Sequence, residues 1–319
     1  MTYREQPRTT RRSTVLIVGF SSLALLLAVM GFAAARPLLA TRDHGRLAPI
    51  AWPDRGQAAI VLGNARAAAS PDEQPVPIAS LAKVMTAYLT LKRYPLSGAH
   101  DGFTTTVTAD QAQAEGEDAA EDQSVVAVRA GEQLTERQLL EALLIPSGDN
   151  IAWMLATRVA GNAMRFVGEM NTEARALGMD HTTYTDPSGF DPSTVSTAAD
   201  QLRVFRQAMR YPVFCQVVSM VSATLPVAGT VINYDPLVAE GFAGKTGSDS
   251  AAKGCLDFFT HVTVAGRGLT AVGVVVGQGQ GRDTRVLLSA AGEAAKQLVE
   301  SAASGSQPSG GTVLVNRGT

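Results

Sequence analysis

Cysteine is scarce: Cys215 and Cys255 are the only two in 319 residues. A small fold held by several disulfides is therefore excluded, and at most one bridge can form. Spacing alone does not give their separation, so a disulfide and two isolated buried thiols both stay open. Histidine is scarce as well. The four His residues are scattered, with no H-E-x-x-H and no Cys/His spacing, which argues against a zinc site. Charged residues make up 18% and the formal net charge is −2. No Lys/Arg-rich run with interleaved aromatics follows the N-terminus, which together with the net charge argues against a broad nucleic-acid surface. There is no internal repeat. Hydrophobic residues make up 45%, enough for a packed core in one large domain or two small ones.

One long apolar run is present. Ser13 to Ala35, "STVLIVGFSSLALLLAVMGFAAA", carries no charge and is long enough to span a bilayer as a helix. Arg4, Arg8, Arg11 and Arg12 precede it, which keeps residues 1–12 cytoplasmic and places the rest outside the membrane. The length favours an uncleaved single-pass anchor. Ala33 and Ala35 form an A-x-A pattern, so secretion after signal cleavage is the alternative. The Arg11-Arg12 pair fits a twin-arginine signal poorly. In that compartment the two cysteines would meet oxidising conditions.

Residues 36–56, rich in Pro, Arg and Gly, read as a linker. "AAIVL" (58–62) reads as a buried strand and "SPDEQPVP" (70–77) as a loop. "IASLAKVMTAYLTLKRY" (78–94) has helical spacing closed by Pro95. Thr-rich strand-like pieces follow in 101–130 around the acidic run "EGEDAAED", read as a solvated loop. "LTERQLLEALLI" (134–145) predicts a helix with Thr135 as N-cap and Gln138 completing a capping box. Helical spacing recurs over 150–160, 162–179 and 196–210, the last with Ser196 as its cap. Residues 254–266 and 269–278 are β-branched and aromatic, and meet at "GRG" as a hairpin. A final amphipathic helix covers 284–303, and 304–319 read as a flexible tail. Strands at both ends and helices between predict one α+β domain over 57–303.

Three short motifs carry chemistry. Ser80 and Lys83 lie on one face of the first helix, near its N-terminus, where free N–H groups favour a developing oxyanion. A Ser hydroxyl needs a base, and a Lys amine serves when burial or a nearby cation lowers its pKa. "PSGDN" (146–150) places Ser147 between two helices, where Asp149 or Asn150 also makes a good cap. "KTG" at Lys245, Thr246 and Gly247 falls on a strand before the hairpin, suited to holding a carboxylate. Each motif alone is weak.

In the order S-x-x-K, S-x-N-like, K-T-G, the set resembles the serine penicillin-recognising enzymes. It is most similar to the low-molecular-weight penicillin-binding proteins that are D-alanyl-D-alanine carboxypeptidases, peptidase family S11. "PIASLAKVMTAY", "ARALGMDHTTYTDPSGFDPSTVSTAAD" (174–200) and "KTGSDSAAKGC" all resemble that family's segments, and the likeness covers roughly residues 57–300. It implies a β-lactamase/transpeptidase-like fold, a mostly antiparallel sheet with packed helices and a helical subdomain, needing no metal or organic cofactor. Ser80 would be the nucleophile, Lys83 its base and Ser147 a proton relay. Lys245 and Thr246 would hold the substrate carboxylate, with Gly247 beside them. Backbone N–H groups of Ser80 and Ser248 would form the oxyanion hole. The implied substrate is the peptidoglycan stem peptide and the implied inhibitors are β-lactams. Many relatives continue into a C-terminal β-domain and an amphipathic membrane helix. Neither is read after residue 303, so the N-terminal segment is expected to anchor the protein.

One position departs from the family pattern, which wants Asn two residues after the motif Ser. Asp149 stands there and Asn150 follows. An ionised Asp accepts from Lys83 but cannot donate to substrate, and its charge favours charged lysines. Three readings follow: Asp149 serves directly, a local shift brings Asn150 into place, or catalysis is impaired. The last would make the chain a muropeptide- or partner-binding protein. A serine β-lactamase would need a deacylating Glu, and "TTYTDPSGF" (182–190) has none.

Overall fold

The computed structural model describes residues 50–305 and 314–315. The chain divides between Asp43 and His44, and all described residues belong to the second unit. The apolar run 13–35 and its basic flank lie outside the described residues. Among the described residues no helix is long and apolar enough to cross a membrane.

In chain order, strands β1 (Gln57–Leu62), β2 (Ala68–Ala69) and β3 (Val76–Pro77) precede helix α1 (Ala82–Arg93). Next come β4 (Thr104–Thr106), α2 (Ala109–Ala120), β5 (Gln133–Thr135), α3 (Glu136–Leu144), α4 (Asp149–Ala160) and α5 (Ala163–Ala176). Then β6 (Val195–Ser196), α6 (Ala198–Ala208), α7 (Pro212–Val218), β7 (Ser222–Leu225) and β8 (Gly229–Ile232) lead to β9 (Phe242–Asp249). The long hairpin β10 (Lys253–Val264) and β11 (Arg267–Gln278), helix α8 (Thr284–Ser304) and β12 (Leu314–Val315) complete the chain.

The main sheet is antiparallel throughout and ordered β2–β1–β11–β10, with β9 and β12 both pairing the far edge of β10. Alternation along β11 builds two cores. Val272, Val274 and Val276 face the helical side, while Ala271 and Val275 face α8. Ile50 and Trp52 pack on the α8 side, and Ala51 N donates to Ser301 Oγ at 2.7 Å. The helical layer is centred on α1, in which every residue from Ala82 to Leu91 is buried. This is the predicted α+β arrangement of an antiparallel sheet with packed helices.

Several local readings change. Most of the acidic run is not a loop: residues 115–120 belong to α2, whose Thr108 and Gln111 form a reciprocal capping box, and Glu121 and Asp122 form the turn after it. Two satisfied end groups and a run of helix formers outweigh the missing apolar stripe. The cap of α6 is Thr197, which accepts from Asp200 N, whereas Ser196 Oγ meets Thr182 Oγ1 at 2.7 Å. Cys215 and Cys255 are both free thiols. Burial pushes the Cys255 thiol up to about 12.

Candidate active site

Ser80 lies in a 3₁₀ turn, Ala79–Leu81, that runs directly into α1. Ala79 before it has φ +45°. A left-handed residue that is not glycine costs of order 1 kcal/mol or more and persists only where its surroundings enforce it. Two glycines do so. Gly189 has φ +85°, and a Cβ there would lie 1.9 Å from Ala79 O. At Gly247 a Cβ would lie 2.9 Å from Ile78 O and 3.1 Å from Ser80 N. The D-P-S-G loop thus grips the nucleophile turn from one side and the K-T-G strand β9 from another.

Lys83 is wholly buried and its amine is the centre of the site. Nζ lies 2.7 Å from Ser80 Oγ, 2.5 Å from Asp149 Oδ1 and 3.0 Å from Ser188 O. Asp149 Oδ2 accepts from Ser124 N at 2.9 Å, while Asp149 N donates to Ser124 O at 2.6 Å. Asn150 turns elsewhere: its amide exchanges two hydrogen bonds with the backbone of Val126, at 2.8 and 3.0 Å. Asp149 therefore occupies the place beside Lys83, and Asn150 fastens the 124–128 segment to α4. Ser147 is buried with φ +66°, and its Oγ has no hydrogen-bond partner among the described residues.

On β9, Lys245 is fully buried and donates from Nζ to Thr246 O at 2.7 Å. Burial, and then the Lys83 charge, lower its pKa well below the ordinary lysine value; Asp149, Asp257 and Asp235 act the other way. Thr246 is buried and Ser248 half-buried. Ser80, Lys83, Asp149, Gly247 and the strand carrying Lys245 are thus brought to one place.

Sequence reasoning gave no role to Asp186 and Ser188. The Asp186 carboxylate accepts from Ser188 N, Gly189 N and Ser188 Oγ on one oxygen, and from Asp191 N and Thr194 Oγ1 on the other. This organises the loop that offers Ser188 O to Lys83. The D-P-S-G run was the available signal, since Asp favours turns of this kind. A separate cavity of about 720 Å³ opens beside α1 and α5, around Leu89, Lys92 and Glu173, and contains none of these groups.

A serine hydroxyl held by a buried lysine at a helix start, beside a lysine-bearing edge strand, is an arrangement suited to acyl transfer. The sequence model of the D-alanyl-D-alanine carboxypeptidase family, peptidase S11, matches residues 63–278, and the chain belongs to that family. It is 36% identical over 201 residues to D-alanyl-D-alanine carboxypeptidase DacB2 of Mycobacterium tuberculosis, covering 60% of this chain and 63% of that one. It is 34% identical over 142 residues to a D-alanyl-D-alanine endopeptidase of Pseudomonas aeruginosa, covering 44% and 42%. The matched stretches thus span less than two thirds of these relatives. Among solved structures, the Streptomyces K15 DD-transpeptidase shares the fold with a TM-score of 0.66, at 23% identity, covering 79% of this chain and 99% of that one.

Proposed function

We propose that the protein is a serine D,D-carboxypeptidase that removes the terminal D-alanine from peptidoglycan pentapeptides. The observation that carries this reading is the 2.7 Å contact between Lys83 Nζ and Ser80 Oγ, beneath a strand bearing Lys245 and Thr246. Ser80 Oγ attacks the D-Ala–D-Ala carbonyl as Lys83 takes its proton. The N–H groups of Ser80 and Ser248 receive the oxyanion. Ser147 passes a proton to the leaving D-alanine, whose carboxylate rests on Lys245 and Thr246. Water then releases the shortened peptide. β-Lactams acylate the same serine and leave slowly. The charge-free run 13–35 anchors the catalytic domain outside the cell membrane.

Asp149 supports a second reading, a catalytically impaired binding protein on the same fold. It engages the Lys83 amine at 2.5 Å, the same group that the first reading needs as the base for Ser80. The deciding experiment is D-alanine release from an acyl-D-Ala-D-Ala peptide, with Ser80→Ala as control. Release that disappears in the control supports the carboxypeptidase. No release and no penicillin acylation by folded wild type would replace it with the binding protein.

A further inference from the structure

Behind the K-T-G strand stands a charged residue that this mechanism leaves unused. Asp257 on β10 is directly opposite Lys245 in the β9–β10 register. Opposite residues of antiparallel strands carry their side chains on the same face, with Cβ atoms about 5 Å apart. Both residues are 0% exposed. Lys245 Nζ is nevertheless turned to Thr246 O, and neither carboxylate oxygen of Asp257 has a hydrogen-bond partner among the described residues.

A buried carboxyl without partners is costly, and packing does not call for one. Val274, the register neighbour of Asp257 on β11, belongs to the helical-side core, so an apolar side chain would suit this face. Burial raises the Asp257 carboxyl well above its ordinary value and lowers the Lys245 amine well below its own. Their mutual attraction opposes both shifts, so ionising one favours ionising the other. Charges that also act on Lys245 are Lys83, which disfavours its cation, and Asp149 and Asp235, which favour it.

We propose that Asp257 is a positioning residue: it is the counter-charge that lets buried Lys245 stand as an ammonium when the peptide's C-terminal carboxylate enters. Lys245 then lies between two anions, the substrate on its cleft side and Asp257 within the sheet. This rests on the carboxypeptidase reading, because it needs a substrate that ends in a carboxylate.

The test compares Asp257→Asn with wild type on two substrates, acyl-D-Ala-D-Ala and an acyl-D-alanine methyl ester that lacks the carboxylate. Asp257→Asn lowers kcat/KM for the peptide about tenfold, mainly through KM, a factor equal to one pH unit of charge preference. It leaves the ester within about twofold. The ratio of the two does not depend on the folded fraction, and Asp257→Ser gives the same comparison where Asp257→Asn accumulates poorly. Equal losses on both substrates, no loss on either, or a gain for the peptide would overturn the inference. In a Ser80→Ala background, calorimetric binding of acyl-D-Ala-D-Ala and of its C-terminal amide makes the same comparison. There, weaker binding of the carboxylate peptide alone supports Asp257 as counter-charge. Failure of wild type to release D-alanine bears on the mechanism instead.

Discussion

The Lys83 amine has three acceptors around it, and a lysine ammonium has three hydrogens to give. To accept the Ser80 proton it must first present a lone pair in that direction. Asp149 competes for that amine, its Oδ1 lying 2.5 Å from Nζ. Asp149→Asn keeps an acceptor for Lys83 and removes the charge. Penicillin acylation by this variant is expected to be unchanged or up to about tenfold faster at neutral pH, a gain of up to ~1.4 kcal/mol in the barrier. A large loss, read with a labelled β-lactam in stopped flow, would show instead that the carboxylate itself assists. Ser147→Ala should fold normally, since its Oγ has no partner to lose among the described residues, while D-alanine release falls about 100-fold. The S-x-x-K pair was legible only in company with the other two motifs, since its spacing alone is weak. The division of labour between Asp149 and Asn150 was not, since both are good cap residues and only the Val126 backbone shows where Asn150 is engaged.

At the scale of elements, the site depends on how closely backbones approach one another. Gly189→Ala places a methyl group against Ala79 O and forces a left-handed φ on alanine. Thermal unfolding should shift down by several degrees, and acylation of the folded fraction should fall at least tenfold because the Ser80 turn is displaced. Thr108→Ala removes one half of the α2 capping box and should cost about 1 kcal/mol, seen as a lower denaturant midpoint, with Ser80 chemistry intact. The hairpin β10–β11 and helices α4 and α8 could be read from period, and α3 from its Thr135–Gln138 capping box as well; the expected Asp149 or Asn150 cap is not made, since α4 starts after Gly148 without a side-chain cap. Helix α2 could not be read from period, because none of its residues is buried. Its T-x-x-Q cap was the overlooked signal. The short α7 and the β7–β8 hairpin are too brief for a periodic pattern to show.

Across the whole molecule, buried carboxyls link stability to pH. Burial raises Asp235 to about 6, against the Leu237 N–H that favours its anion. Burial raises Glu136 to about 7 and holds the Asp257 carboxyl well above its ordinary value. A folded value above the unfolded one means that the native state holds protons the unfolded chain has released. This stabilisation is full below about pH 4 and is lost as pH rises through 6 to 7. Lys245, whose amine burial lowers, adds a slope of the opposite sign, so the check is a difference: between about pH 5 and pH 8, Asp235→Asn should lose less melting temperature, or gain more, than wild type. Equal changes in the two proteins would contradict the assignment. Composition gave no hint of it, because a net charge of −2 does not reveal which carboxyls are buried.

The partners of Lys83 are far off along the chain: Asp149 is 66 residues away and Ser188 is 105. Gly247, which fits against the Ser80 turn, comes later still. Closing such loops is slow compared with forming helices. A refolding chain should therefore recover its helical circular dichroism well before it can capture penicillin. During synthesis, a nascent chain that has not yet exposed β9 carries Ser80 and Lys83 without the strand that packs against their turn.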